Sequence, residues 1–154
     1  MNLWPPTATT NPCQAMLLDV NILLALTWDQ HIHHHAAHER FAELENWSTC
    51  PISEAGLLRL LLTEQVVGRQ VSGSEALGQL EAIRRVQGWS FLTDSVSLAE
   101  PVIDTRVLMG RRQVTDLQLV NVAAANDTKV ATFDAALRTS LMPEDQHLVS
   151  VWSA

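Results

Sequence analysis

Four carboxylates stand out by their settings. Asp19 closes the apolar run Met16-Leu17-Leu18, and Asp134 lies two residues past Thr132, the last residue of the run Lys129-Val130-Ala131-Thr132. Glu54 and Asp116 directly follow Ser53 and Thr115, each at the head of an apolar segment. Singly, each has an ordinary explanation. Acids in a helix's first turn are favoured by the macrodipole, and Asp19 with Asn21 can form a turn pair. Jointly they ask for more. Surface acids tend to sit among other charges, as Glu39, Glu43 and Glu45 do, whereas three of these four are flanked by apolar or small polar residues. Carboxylates gathered without a cation raise one another's pKa and destabilise the ionised set. A hard divalent ion removes that conflict, and magnesium takes a few carboxylates plus water and phosphate oxygens. Such a site suits phosphodiester hydrolysis, in which the ion orients a water, lowers its pKa and offsets charge on the leaving oxygen.

These acids are spread over more than a hundred residues, so a fold must gather them. Strands are expected over residues 16–19, 90–93, 129–132 and 148–151, with a strand-like link at 48–52 whose Pro51 argues against a central ladder position. Helices are expected over 21–28, 33–46, 53–64 with Ser53 as N-cap, 74–86, 97–109 despite Pro101, 116–127 with Thr115 as cap, and 134–140. Strands alternating with helices predict an α/β sandwich around a mostly parallel sheet. In such sheets strand C-ends and helix N-ends meet on one edge, where ligands bind. That edge is where all four acids would fall.

The chain has 154 residues, one domain's worth. Its 47% hydrophobic and 18% charged content excludes wholesale disorder. A net charge of −7 excludes a uniformly basic nucleic-acid-coating surface but not a local basic patch. No apolar run is long enough to span a bilayer, so no membrane association is expected, and no signal-peptide pattern is present. Cys13 and Cys50 make neither a zinc motif nor a disulfide framework, so reduced thiols in a cytoplasmic protein are expected. Residues 1–15 carry three prolines and no periodicity, which predicts an extended tail ahead of a single domain over 16–152; Met16 is an alternative start.

The segments Met16-Leu17-Leu18-Asp19-Val20-Asn21, Ser53-Glu54, Thr115-Asp116-Leu117-Gln118-Leu119 and Ala131-Thr132-Phe133-Asp134-Ala135-Ala136-Leu137 together resemble the four acidic motifs of PIN-domain nucleases. Their order and spacing are similar to those of the VapC-type toxins of bacterial toxin–antitoxin pairs. The resemblance implies a three-layer α/β/α sandwich with a five-stranded parallel sheet, and an endoribonuclease dependent on Mg2+ or Mn2+. It implies metal ligation and catalysis by Asp19, Glu54, Asp116 and Asp134, with Asn21, Ser53, Thr115 and Thr132 in support. It further implies a homodimer, an RNA substrate cut in single-stranded regions, and a cognate antitoxin that inserts an arginine among the carboxylates. The tail departs from the pattern.

Other readings compete. An aspartate-nucleophile phosphatase would want an aspartate where Asn21 stands, and a receiver domain would want an acidic pair shortly before its phosphoacceptor. A catalytically weak PIN-like domain that binds RNA or protein is the remaining alternative. His31, His33, His34, His35 and His38 include i, i+4 pairs that could hold zinc, although the H-E-x-x-H pattern is absent; helix-opening residues near the acidic pocket are the plainer reading. Arg111 and Arg112, with Arg106 nearby, could contact phosphate, as could Arg84 and Arg85, or simply be solvated. Trp28, Trp47 and Trp89 could stack bases but suit packing better.

Overall fold

The computed structural model describes residues 15–153. The expected tail at 1–15 therefore lies outside the described residues but for Ala15. Five three-residue strands, β1 (Met16–Leu18), β2 (Trp47–Thr49), β3 (Trp89–Phe91), β4 (Val130–Thr132) and β5 (Val149–Val151), form one sheet in the order β3-β2-β1-β4-β5. Every pairing is parallel, with Met16 opposite Trp47 and Leu17 opposite Val130. β1 and β4 are apolar almost throughout, as strands buried on both faces must be.

Successive strand residues point to opposite faces, and β1 shows the division. Leu18 joins one core with Ile22, Leu23, Leu57, Leu80 and Trp47, while Leu17 joins the other with Leu117, Val120, Leu137 and Val149. On the first face lie α1 (Val20–Thr27), α2 (His34–Phe41), α3 (Pro51–Leu61), α4 (Glu64–Val67) and α5 (Gly73–Arg84); on the second lie α6 (Val114–Ala125) and α7 (Ala135–Ser140). The result is a three-layer α/β/α sandwich.

Several local expectations are corrected. β2 is an interior strand, because Pro51 falls outside it, at the first position of α3, where a missing N–H costs nothing. Cys50, not Ser53, is the N-cap of α3; Ser53 sits one turn in, and its hydroxyl accepts the Cys50 N–H at 2.9 Å and donates to the Cys50 carbonyl at 3.0 Å. Thr115 is likewise inside α6, whose cap is Gln113. The helix from 33 ends at Phe41 rather than at 46. No α-helix forms over 97–109: a bridge joins Ser97 to Glu100, a 3-10 turn covers Thr105–Val107, and the Val102 N–H goes to the buried Asn121 side chain at 2.8 Å. Pro101 has no N–H to give a helix, and Asn121 supplies a partner that a helix would otherwise provide.

Candidate active site

The sheet order reverses between β1 and β4. β1 leads outward to β2 and β3, β4 to β5, so the crevice beyond their C-ends is the topological switch point. Asp19 and Asp134 are the residues that leave these two strands toward helices. Asp19 caps α1, its Oδ1 accepting the Val20 N–H at 2.6 Å. Its Oδ2 accepts the Thr132 hydroxyl at 2.6 Å. The same Thr132 oxygen accepts the Asp134 N–H at 3.0 Å, and Asp134 Oδ1 accepts the Ala136 N–H at 2.8 Å as the cap of α7. One fully buried hydroxyl thus ties the ends of β1 and β4 together.

Asp116 enters from the other face, in the first turn of α6. Burial, then the charges of Asp19 and Asp134, push its pKa up to about 6. Burial also raises the pKa of Asp19, against the bonds from Thr132 and Val20, and Asp134 adds to the rise. Asp116 therefore feels the charges of Asp19 and Asp134, and Asp19 that of Asp134. Asp19 and Asp116 share a cleft of about 210 Å³ with Asn21, Ile52, Gly56, Arg59 and Thr115.

Glu54 is placed differently. Its carboxylate accepts the Thr49 hydroxyl at 2.6 Å and lies 3.7 Å from Arg84 Nε. The Arg84 guanidinium rests 4.2 Å over the Trp89 ring, and Trp89 Nε1 donates to the Thr49 hydroxyl at 2.9 Å. Glu54 is thus paired toward β2 and β3. Of the supporting residues, Thr132 contacts Asp19, Asn21 and Thr115 line the cleft, and Ser53 is spent on the Cys50 backbone. Arg111 and Arg112 are exposed in the 3-10 turn that leads into α6 and form no ion pair among the described residues. Arg59 was not singled out from sequence. Its signal is present: Ile52, Gly56 and Arg59 fall at i, i+4 and i+7, one face of α3. Thr49, which holds Glu54, left no such trace.

The donor set suits a hard cation. Two of the carboxylates carry raised proton affinity that a positive ion would relieve. Among the described residues no three His, Cys, Asp or Glu side chains stand close enough to share one ion.

An all-parallel 3-2-1-4-5 sheet with acids at its switch point places the chain among open α/β folds whose ligand site lies at the strand C-ends. The PIN domain family model matches residues 16–139, and the chain belongs to that family. Within it, the chain is 41% identical over 125 residues to Ribonuclease VapC38 of Mycobacterium tuberculosis, covering 80% of this chain and 87% of that protein. It is 38% identical over 127 residues to Ribonuclease VapC39 of the same species, covering 80% and 91%, and 31% identical over 140 residues to Ribonuclease VapC44, covering 88% and 98%. Among the described residues no helix is long and apolar enough to cross a membrane.

Proposed function

We propose that this chain is a divalent-metal-dependent endoribonuclease, acting in the cytoplasm as the toxin of a toxin–antitoxin pair. The observation that carries the reading is that Asp19 and Asp116 share one cleft at the switch point of a PIN fold, with the charge of Asp134 felt by both. Asp19 and Asp116 would hold Mg2+ or Mn2+, with Asp134 reaching it through water. Glu54 would join through water, or directly once parted from Arg84. A bound ion supplies polarisation of the scissile phosphate and of an attacking water. The chain supplies the rest. Thr132 holds Asp19 in one orientation before substrate arrives, so little reorganisation remains for the reaction. Asp116, whose pKa of about 6 leaves it mostly ionised at neutral pH, would offer a carboxylate ready for a cation. Arg59 in the cleft and Arg111 and Arg112 beside it would grip RNA phosphates. Removing the four acids from the charge balance leaves thirteen acids against ten bases, a residual charge of −3, so RNA contact would rest on local arginines and bound cations rather than on net charge.

A cognate antitoxin would cover this anionic cleft, with an arginine standing in for the cation. A homodimer is supported by the exposed Leu108, Met109 and Val114 around the entry to α6.

The test is tightly controlled expression in a bacterium beside Asp19→Asn. The parent should arrest growth and leave discrete RNA cuts while the variant does neither. Equal growth and intact RNA for both, at equal protein level, would remove the toxin assignment in that host.

A further inference from the structure

The five clustered histidines divide by what they touch. His34 Nδ1 donates to the Ala25 carbonyl at 2.6 Å and His38 Nε2 to the Leu26 carbonyl at 3.0 Å. They fasten α2 to the open carbonyls at the end of α1. His35 is exposed and meets Glu39 at 3.0 Å. His31 and His33 remain, and they line a second cleft of about 290 Å³ with Asn21, Ile32, Phe133 and Asp134. Asn21 belongs to both clefts, so this one opens directly onto the acids.

Its walls have a definite chemistry. His33 lies on Phe133 at 4.7 Å between ring centroids and 26° between planes; His31 follows at 5.7 Å and Trp28 at 5.9 Å beyond it. His31 Nδ1 accepts the His33 backbone N–H at 3.1 Å, so in the neutral ring Nε2 carries the proton. That N–H has no acceptor among the described residues, nor has the His33 ring a hydrogen-bond partner there. Ile32, 88% exposed, stands at the rim where a flat apolar ring would cover it. Aromatic and imidazole faces, a free donor, an amide and an apolar rim are the fittings for an unpaired base.

We propose that this cleft seats one nucleobase of the RNA, that of the nucleotide next to the scissile phosphate, stacked against His33 and Ile32 and hydrogen-bonded by His31 Nε2–H and the Asn21 amide. The inference rests on the ribonuclease reading, since the acids must hold the phosphate for the adjoining cleft to receive its base. It makes His33 a specificity-determining residue and selects unpaired nucleotides, because a base inside a duplex cannot enter.

The test pairs single-stranded RNA oligonucleotides, intact or abasic on either side of the mapped cut, with the parent, His33→Ala and His33→Phe. Cleavage is followed with Mg2+ and binding by anisotropy in chelator; thermal melts confirm that each variant is folded. In the parent, removal of one flanking base should lower kcat/KM about tenfold, the usual weight of one stacked base. The penalty should vanish in His33→Ala and return in His33→Phe. If the base and His33 effects simply multiply, the cleft does not hold that base and the ribonuclease reading survives. If RNA is not cut but binding that depends on one base disappears in His33→Ala, the cleft still seats a base, while the ribonuclease reading and the base's place beside a scissile phosphate both fall. Neither cleavage nor base-dependent binding overturns both.

Discussion

At Asp19 opposing influences meet on one carboxylate. Burial and Asp134 favour its proton; Thr132 and the Val20 N–H favour its charge. Replacing Thr132 by Val removes the donor to Asp19 and the acceptor for the Asp134 N–H from a fully buried position. We expect a loss of about 1–3 kcal/mol in denaturant unfolding, and weaker cleavage because Asp19 is no longer aimed. Asp116 yields a pH prediction. Its folded pKa of about 6 exceeds the ordinary 3.8, so the folded chain binds the proton more tightly than the unfolded one. The stabilisation is complete below the unfolded value and is lost as the pH rises through about 6. The metal-free protein should therefore lose stability between about pH 4 and 7. Asp116→Asn should melt higher than the parent at pH 7.5, by about 2–4 °C for about 1 kcal/mol after allowing for the solvated half of the side chain. A lower melt for the variant would contradict the account that burial, with repulsion from Asp19 and Asp134 added, penalises the ionised Asp116. Asp19, Asp116 and Asp134 could be picked out from sequence because strand ends and helix starts announce where such acids fall. The pairing of Glu54 with Arg84 could not, since it depends on a contact thirty residues away, across two strands, that no local spacing encodes.

Among the elements, α1 and α3 approach closely because Gly56 has no side chain. A Cβ there would stand 2.6 Å from Val20 Cγ2, a stiff branched group beside Asp19. Gly56→Ala should cost about 1–3 kcal/mol by overpacking. Gly88, at φ +90°, is more demanding, for a Cβ there would overlap the Glu45 carbonyl where the chain turns into β3. Gly88→Ala should destabilise more than Gly56→Ala, and a reversed order in thermal melts would show that the close approach at Gly88 relaxes. Strands and most helices could be read from apolar runs alone, within a few residues. Ser53 and Thr115 lie inside their helices rather than at the caps, because a small polar residue before an apolar run fits the cap and the first turn equally well; Pro51 marks the true start of α3. The stretch 97–109 has helix-compatible apolar spacing, but its backbone is satisfied by Asn121 and Asp145 side chains, a tertiary solution that periodicity does not reveal.

For the whole molecule, the decisive fact is topological. A parallel sheet ordered 3-2-1-4-5 puts the ends of β1 and β4 side by side, so residues 19 and 134 become neighbours although 115 positions separate them. Alternation of strands and helices points to a mostly parallel sheet and family resemblance implies five strands, but the order of the strands is legible only in the structure. A proposed homodimer is also a property at this scale. Sedimentation should give twice the chain mass, and Met109→Asp, at a residue 88% exposed, should shift it toward one; a monomeric parent at micromolar concentration would remove the dimer. The central claim is that the clustered acids cut RNA through a divalent ion. Its most direct test is purified, chelator-stripped protein incubated with RNA bearing single-stranded loops, with Mg2+ or Mn2+ added back, beside Asp19→Asn and Asp116→Asn. Internal cuts should appear only with the ion, and either substitution should slow them by about a hundredfold or more. Cleavage that persists in chelator, or that both variants perform like the parent, would contradict the account.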